Sequence, residues 1–89
     1  MAKNFKWVIS GVDEEDMEKL HTVTLSCSNF TGKAIVTIDG DEYDISVKPF
    51  GLKGTNQMFR IGEAPAVLEF PKKGEPTVTV EGRKIEKES

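Results

Sequence analysis

The feature that most constrains this chain is a two-residue hydrophobic alternation, broken by glycine-containing turns about every ten residues. A period of two sends successive side chains to opposite faces of an extended strand, whereas a helix needs apolar residues three and four apart. Phe5, Trp7 and Ile9 share one face of 4–10. His21, Val23, Leu25 and Cys27 share one face of 21–28, with Thr22, Thr24, Ser26 and Ser28 opposite. The pattern returns over 33–38 (Ala34, Val36, Ile38), 42–48 (Tyr43, Ile45, Val47), 57–61 (Phe59, Ile61), 66–70 (Ala66, Leu68, Phe70) and 77–80 (Val78, Val80). A last short segment, 83–87, leans on Ile85, and Ile35 breaks the alternation as a residue covered on both sides would. Asp39-Gly40 occupies the two-residue hairpin position where both φ angles must be positive, and Glu81-Gly82 and Lys73-Gly74 are further turn signals. The expected fold is all-β: one small antiparallel β-sandwich of seven or eight strands over 1–89. The one helical candidate is 13–20, where Met17 and Leu20 lie three apart behind acidic residues. It is long enough for at most one short helical turn, whose order would depend on packing.

A chain of 89 residues supports one domain and one modest core. Its 15 acids and 12 bases give a net charge of −3, unevenly spread: +2 over 1–11, −4 over 12–20 and −1 over 21–89. A nearly neutral scaffold thus carries one acidic stretch. No basic field is available for a phosphate backbone, so nucleic acid is not an expected partner. Cys27 is the only cysteine, which excludes an intramolecular disulfide and a cysteine-based zinc site. The first residues hold no apolar core of a signal peptide, and no apolar run is long enough to span a membrane. A cytoplasmic protein with no membrane partner is the expectation.

Candidate chemistry is sparse. His21 and Cys27 lie six residues apart on one strand, about 20 Å at the rise of an extended chain, too far to act as base and nucleophile. Cys27 is expected in the core and His21 near a strand end. Asp39, Asp41, Glu42 and Asp44 crowd one hairpin, but without the spacing of a calcium loop or a sugar cleft, and a solvated hairpin is the favoured reading. Lys48-Pro49-Phe50-Gly51-Leu52-Lys53-Gly54 lacks the ending and context of a phosphate loop. Its functional reading is a contact surface: Phe50, Leu52 and Met58, where the core does not absorb them, would form an apolar patch for a protein partner. Asp13, Glu14, Glu15 and Asp16 are the second candidate, a solvated loop or an electrostatic handle for a basic partner. Trp7 reads as core, and the outward threonines as a solvated sheet face.

These residues, taken in order, resemble one repeat of the Fas apoptotic inhibitory molecule family. The match runs through the Trp7 strand with Ser10, His21-x-Val23-x-Leu25, Gly32-Lys33-x-x-Val36, Asp39-Gly40, Phe50-x-Leu52-x-Gly54, Phe59-x-Ile61-Gly62 and Val80-x-Gly82-x-x-Ile85, covering about 5–87. The chain departs from the family in having one repeat rather than two, a longer acidic loop before His21, and Pro49 where a plainer strand belongs. The resemblance implies a β-sandwich without catalytic motif or cofactor, acting through protein contacts in cell-survival signalling and in limiting aggregation of other proteins.

The expected function is therefore a small non-enzymatic protein-interaction module. Two sheets in so short a chain leave edge strands that need pairing, so the expected partner is a protein, or a second copy in a homodimer through an edge or open face. The alternative is a ligand-binding β module for a sugar or lipid, which needs a concave apolar pocket such as one lined by Trp7 or Phe59. An enzyme would need several titratable groups in one cleft, and a single histidine argues against it.

Overall fold

The alternating segments become eight strands in a computed structural model that describes residues 2–88. They are β1 (Lys3–Ile9), β2 (His21–Cys27), β3 (Ala34–Ile38), β4 (Asp41–Asp44), β5 (Thr55–Ile61), β6 (Ala64–Phe70), β7 (Thr77–Val80) and β8 (Arg83–Ile85). Within each half of the chain, consecutive strands pair antiparallel, giving two four-stranded sheets, β1-β2-β3-β4 and β5-β6-β7-β8. Connection 45–54 carries the chain from one sheet to the other. No helix long and apolar enough to cross a membrane is present among the described residues.

Register follows from burial. Phe5 faces Leu25 and Trp7 faces Val23 across β1–β2, while Val23 faces Ile38 and Leu25 faces Val36 across β2–β3. A slip of one residue would turn each of these side chains to water, so the alternation fixes the pairing. Against them pack Ile61, Ala64, Ala66, Leu68, Phe70, Val78 and Val80 of the second sheet, with Val12 and Leu52 added from connections. Each large apolar side chain so buried stabilises the fold by about 1.5–3 kcal/mol. Asp39-Gly40 and Glu81-Gly82 both have two positive φ angles (50° and 90°, 49° and 79°), the geometry that matches the strand twist of a two-residue hairpin.

Two sequence expectations change, those for 42–48 and Cys27, while 13–20 stays within its allowance of at most one helical turn. Segment 42–48 leaves the regular ladder after Asp44, because the Ser46 side chain replaces a backbone group there: its Oγ accepts from the Ala34 amide at 3.0 Å. Segment 13–20 forms two successive turns, with Asp16 N donating to Asp13 O and Lys19 N to Asp16 O, and no helix. Met17 and Leu20 stay exposed, so nothing offsets the cost of helix nucleation. Cys27 is only half-buried; burial pushes its thiol pKa up, and nearby Lys3 opposes that.

The sheet edges are partly closed. The final segment returns to β1, where Lys87 bridges Trp7 and Glu88 N donates to Lys6 O at 2.6 Å. Lys87 Nζ also pairs with Glu75 at 2.7 Å and lies 5.4 Å from the Phe5 ring centre. On the other side Tyr43 of β4 meets Phe59 of β5 across the gap between sheets, ring centres 5.9 Å apart.

Candidate functional site

Up-and-down connectivity sends alternate connections to opposite ends of the sandwich. Segments 10–20, 39–40, 62–63 and 81–82 lie at one end, and 28–33, 45–54 and 71–76 at the other. Contacts between sheets fit this alignment: Gly62 sits against Asp13 and His21 at one end, and Phe5 and Cys27 line a groove with Phe70 and Pro71 at the other.

At the second end two tight segments hold each other. Gly32, at φ 78°, lies so close to connection 45–54 that a Cβ there would fall 2.2 Å from the Lys48 carbonyl oxygen and 2.3 Å from that of Val47. Val47 N donates to Gly32 O at 2.8 Å and Phe50 N to Asn29 O at 2.7 Å. Gly51 N donates to Lys48 O at 2.9 Å, closing a turn with Pro49 second and Phe50 third. The third residue of such a turn takes a positive φ, normally supplied by Gly or Asn. Here it is Phe50 at φ 62°. A bulky residue in this region carries a strain of about 1–2 kcal/mol. The ring gains little burial in return: Phe50 is 67% exposed and Phe30, its edge-to-face partner at 5.6 Å, is 70% exposed. Lys33, Lys48 and Lys53 belong to the same segments. Beside Phe30 runs a groove of about 520 Å³ that Phe5, Cys27, Phe70 and Pro71 line, with Lys3 and Lys53 on it.

The first end is built on His21. Its ring is 4% exposed and lies between two carboxylates: Nδ1 against Asp39 Oδ2, and Nε2 2.7 Å from Asp13 Oδ2. Two carboxylate acceptors require two N–H donors, so this is the imidazolium. The hydrogen bond to Asp39 raises the His21 pKa most; burial opposes it, and the bond to Asp13 adds to it. Burial pushes Asp39 up, but bonds from His21 and from the Thr22 amide (2.9 Å) outweigh it, and its pKa falls below the usual carboxylate value. The acidic segment is thus tied down: Asp13 by His21, Glu14 by its amide donating to Glu63 at 2.8 Å, and Gly11 by its amide donating to Met17 O at 3.1 Å. With both nitrogens committed, His21 has none left to take a proton from a substrate or to ligate a metal. Among the described residues no group of three or more His, Cys, Asp or Glu side chains is arranged to hold a metal ion.

The structure separates the residues singled out from sequence. Phe50 is exposed at the lysine-bearing end. Leu52, in the same connection, is 1% exposed and belongs to the core, so it is removed from the contact patch: after the turn at 48–51 the chain points it between the sheets. Met58 is 80% exposed but lies in mid-strand on the outer face of the second sheet, opposite Val67, not in the connection that holds Phe50. Glu14, Glu15 and Asp16 are exposed at the acidic end, while Asp13 serves as the His21 partner. Asp39 and His21, set aside in the sequence, are the centre of that end. Phe30 was also missed; the signal was available, because it is an aromatic residue outside any alternating run, in the turn Asn29-Phe30-Thr31-Gly32. A groove of about 960 Å³ passes Trp7, yet Trp7 is 1% exposed and offers no ring face for stacking. Against protein-family models, curated proteins and solved structures the chain finds no match.

Proposed function

We propose that this chain is a non-enzymatic protein-interaction module whose contact surface is the end that carries Phe30 and Phe50. One observation carries the reading: two aromatic rings, Phe30 and Phe50, stand mostly exposed against one another, and Phe50 does so on strained backbone that neighbouring segments pin in place. Strain without burial contributes nothing to folding, whereas a rigid exposed aromatic pair is what a binding hot spot needs, since little side-chain entropy is lost on contact. The ordered residues similar to an apoptosis-inhibitory repeat, together with two four-stranded sheets, support the same reading. The sugar or lipid alternative finds no support at the groove beside Trp7, which has no exposed ring to stack on.

The test is capture from native lysate with wild-type protein and with Phe30→Ser/Phe50→Asn. Asn tolerates positive φ, so the double variant keeps the turn. Proteins retained by the wild type and lost by the variant are the expected result. Identical captured sets would overturn the reading.

A further inference from the structure

The two ends are opposite in charge and alike in having an apolar anchor. The four connections at the His21 end hold eight acids and one base, Lys19; the three at the other end hold five lysines and one acid, Glu75. Met17 and Leu20 are exposed in the acidic segment, as Phe30 and Phe50 are at the basic end. We propose that the basic aromatic end of one molecule docks onto the acidic end of a second copy, so that chains associate head to tail. The proposal rests on the interaction role argued above and names the partner.

Charge decides the geometry. Basic end against basic end, or acidic against acidic, sets like charges face to face, so a symmetric dimer through either end is disfavoured. Opposite ends attract, and each brings apolar side chains to the centre of the contact. The molecule's extents are 41 by 23 by 21 Å, so an end face is small against the roughly 800 Å² a partner buries in a standard interface. The association is accordingly weak, steered by charge and weakened by salt. A heterologous contact of this kind leaves one free end of each type on every pair, so assemblies grow with concentration rather than stopping at two.

Sedimentation velocity over a dilution series, at low and high salt and neutral pH, tests this. At low salt the average mass of the wild type rises with concentration to at least twice the 9.9 kDa of one chain, and high salt returns it to the monomer. Lys48→Glu/Lys53→Glu blocks the basic end and Glu14→Lys/Glu15→Lys blocks the acidic end. Each variant alone stays monomeric, while an equal mixture of the two forms pairs that do not grow, because only one working junction remains. Phe30→Ser, which leaves all charges in place, lowers the wild-type mass gain and guards against charge variants that fail to fold. A wild type that stays monomeric at low salt, or a mixture that forms no pairs, would overturn the proposal. So would a monomer that instead binds vesicles of anionic lipid. A monomeric wild type whose lysate capture is still lost in Phe30→Ser/Phe50→Asn would remove self-association and leave the interaction role standing. Identical capture by both proteins would remove that role as well.

Discussion

His21 is where a single side chain controls the most structure. Removing its charge leaves Asp13 and Asp39 facing one another across the vacated ring. His21→Gln is expected to cost about 2–3 kcal/mol near pH 6, below the ~3–5 of a fully buried pair, because the Asp39 carboxylate is 42% exposed. Urea unfolding measures it. The sign of the pH dependence follows from the raised His21 pKa. Its contribution is complete below the unfolded value of about 6.5 and is lost as pH rises through the higher folded value. The Asp39 contribution runs the other way, present above its unfolded value and lost as acid protonates the folded carboxylate. Wild-type stability therefore falls between mildly acidic and alkaline pH, and His21→Gln flattens that fall. Equal slopes in the two proteins would show that His21 is not the imidazolium described. Phe50 makes the contrasting case. Phe50→Asn relieves the positive-φ strain and loses an exposed ring contact of about 0.5–1.5 kcal/mol, so the two effects offset and stability stays within about 1 kcal/mol of wild type.

At the scale of elements, the connections are as specified as the strands. Gly32→Ala places a Cβ against two backbone carbonyls that hydrogen bonds hold in place, on a residue at φ 78°, and should cost about 3 kcal/mol or more. Connection 45–54 divides within two residues of Phe50: Leu52→Ala empties a core position and is expected to cost about 2–5 kcal/mol, whereas Met58→Ala, on the outer face, stays within about 0.5. Denaturant midpoints for the pair check whether Leu52 is core. The strands themselves were legible because burial has a period of two, so 21–27, 34–38 and 77–80 could be placed from alternation alone. The strand over 42–48 was overextended because side-chain mimicry by Ser46 leaves no trace in hydrophobic pattern. Alternation left open whether the core absorbs Leu52, because it says nothing about a connection, where the turn at Lys48–Gly51 sets the direction of the next side chain.

For the molecule as a whole, the sorting of charge matters more than the net value of −3. Each end repels itself, so salt, which screens exposed like charges, should stabilise the fold. A rise in melting temperature of about 2–4 °C on going from low to high salt, equivalent to roughly 0.5 kcal/mol in a domain this size, is the expected result at a dilution where the protein is monomeric. No change would mean that the end charges are too well solvated to interact. The acidic stretch 12–20 accounts for one pole and was visible in the sequence. The opposite pole was not, since its five lysines are scattered over three segments between residues 33 and 73.

By itself the sequence determined most of the strands and turns, the single core and the all-β class, because these depend on alternation and on which residues accept positive φ, both local properties. Only the tertiary structure decided that His21, Asp13 and Asp39 meet, that Phe30 stands against Phe50, and that acids and lysines part to opposite ends. Those facts join residues on different connections. They follow from which connections the strand order brings to the same end, and neither spacing nor composition carries that information.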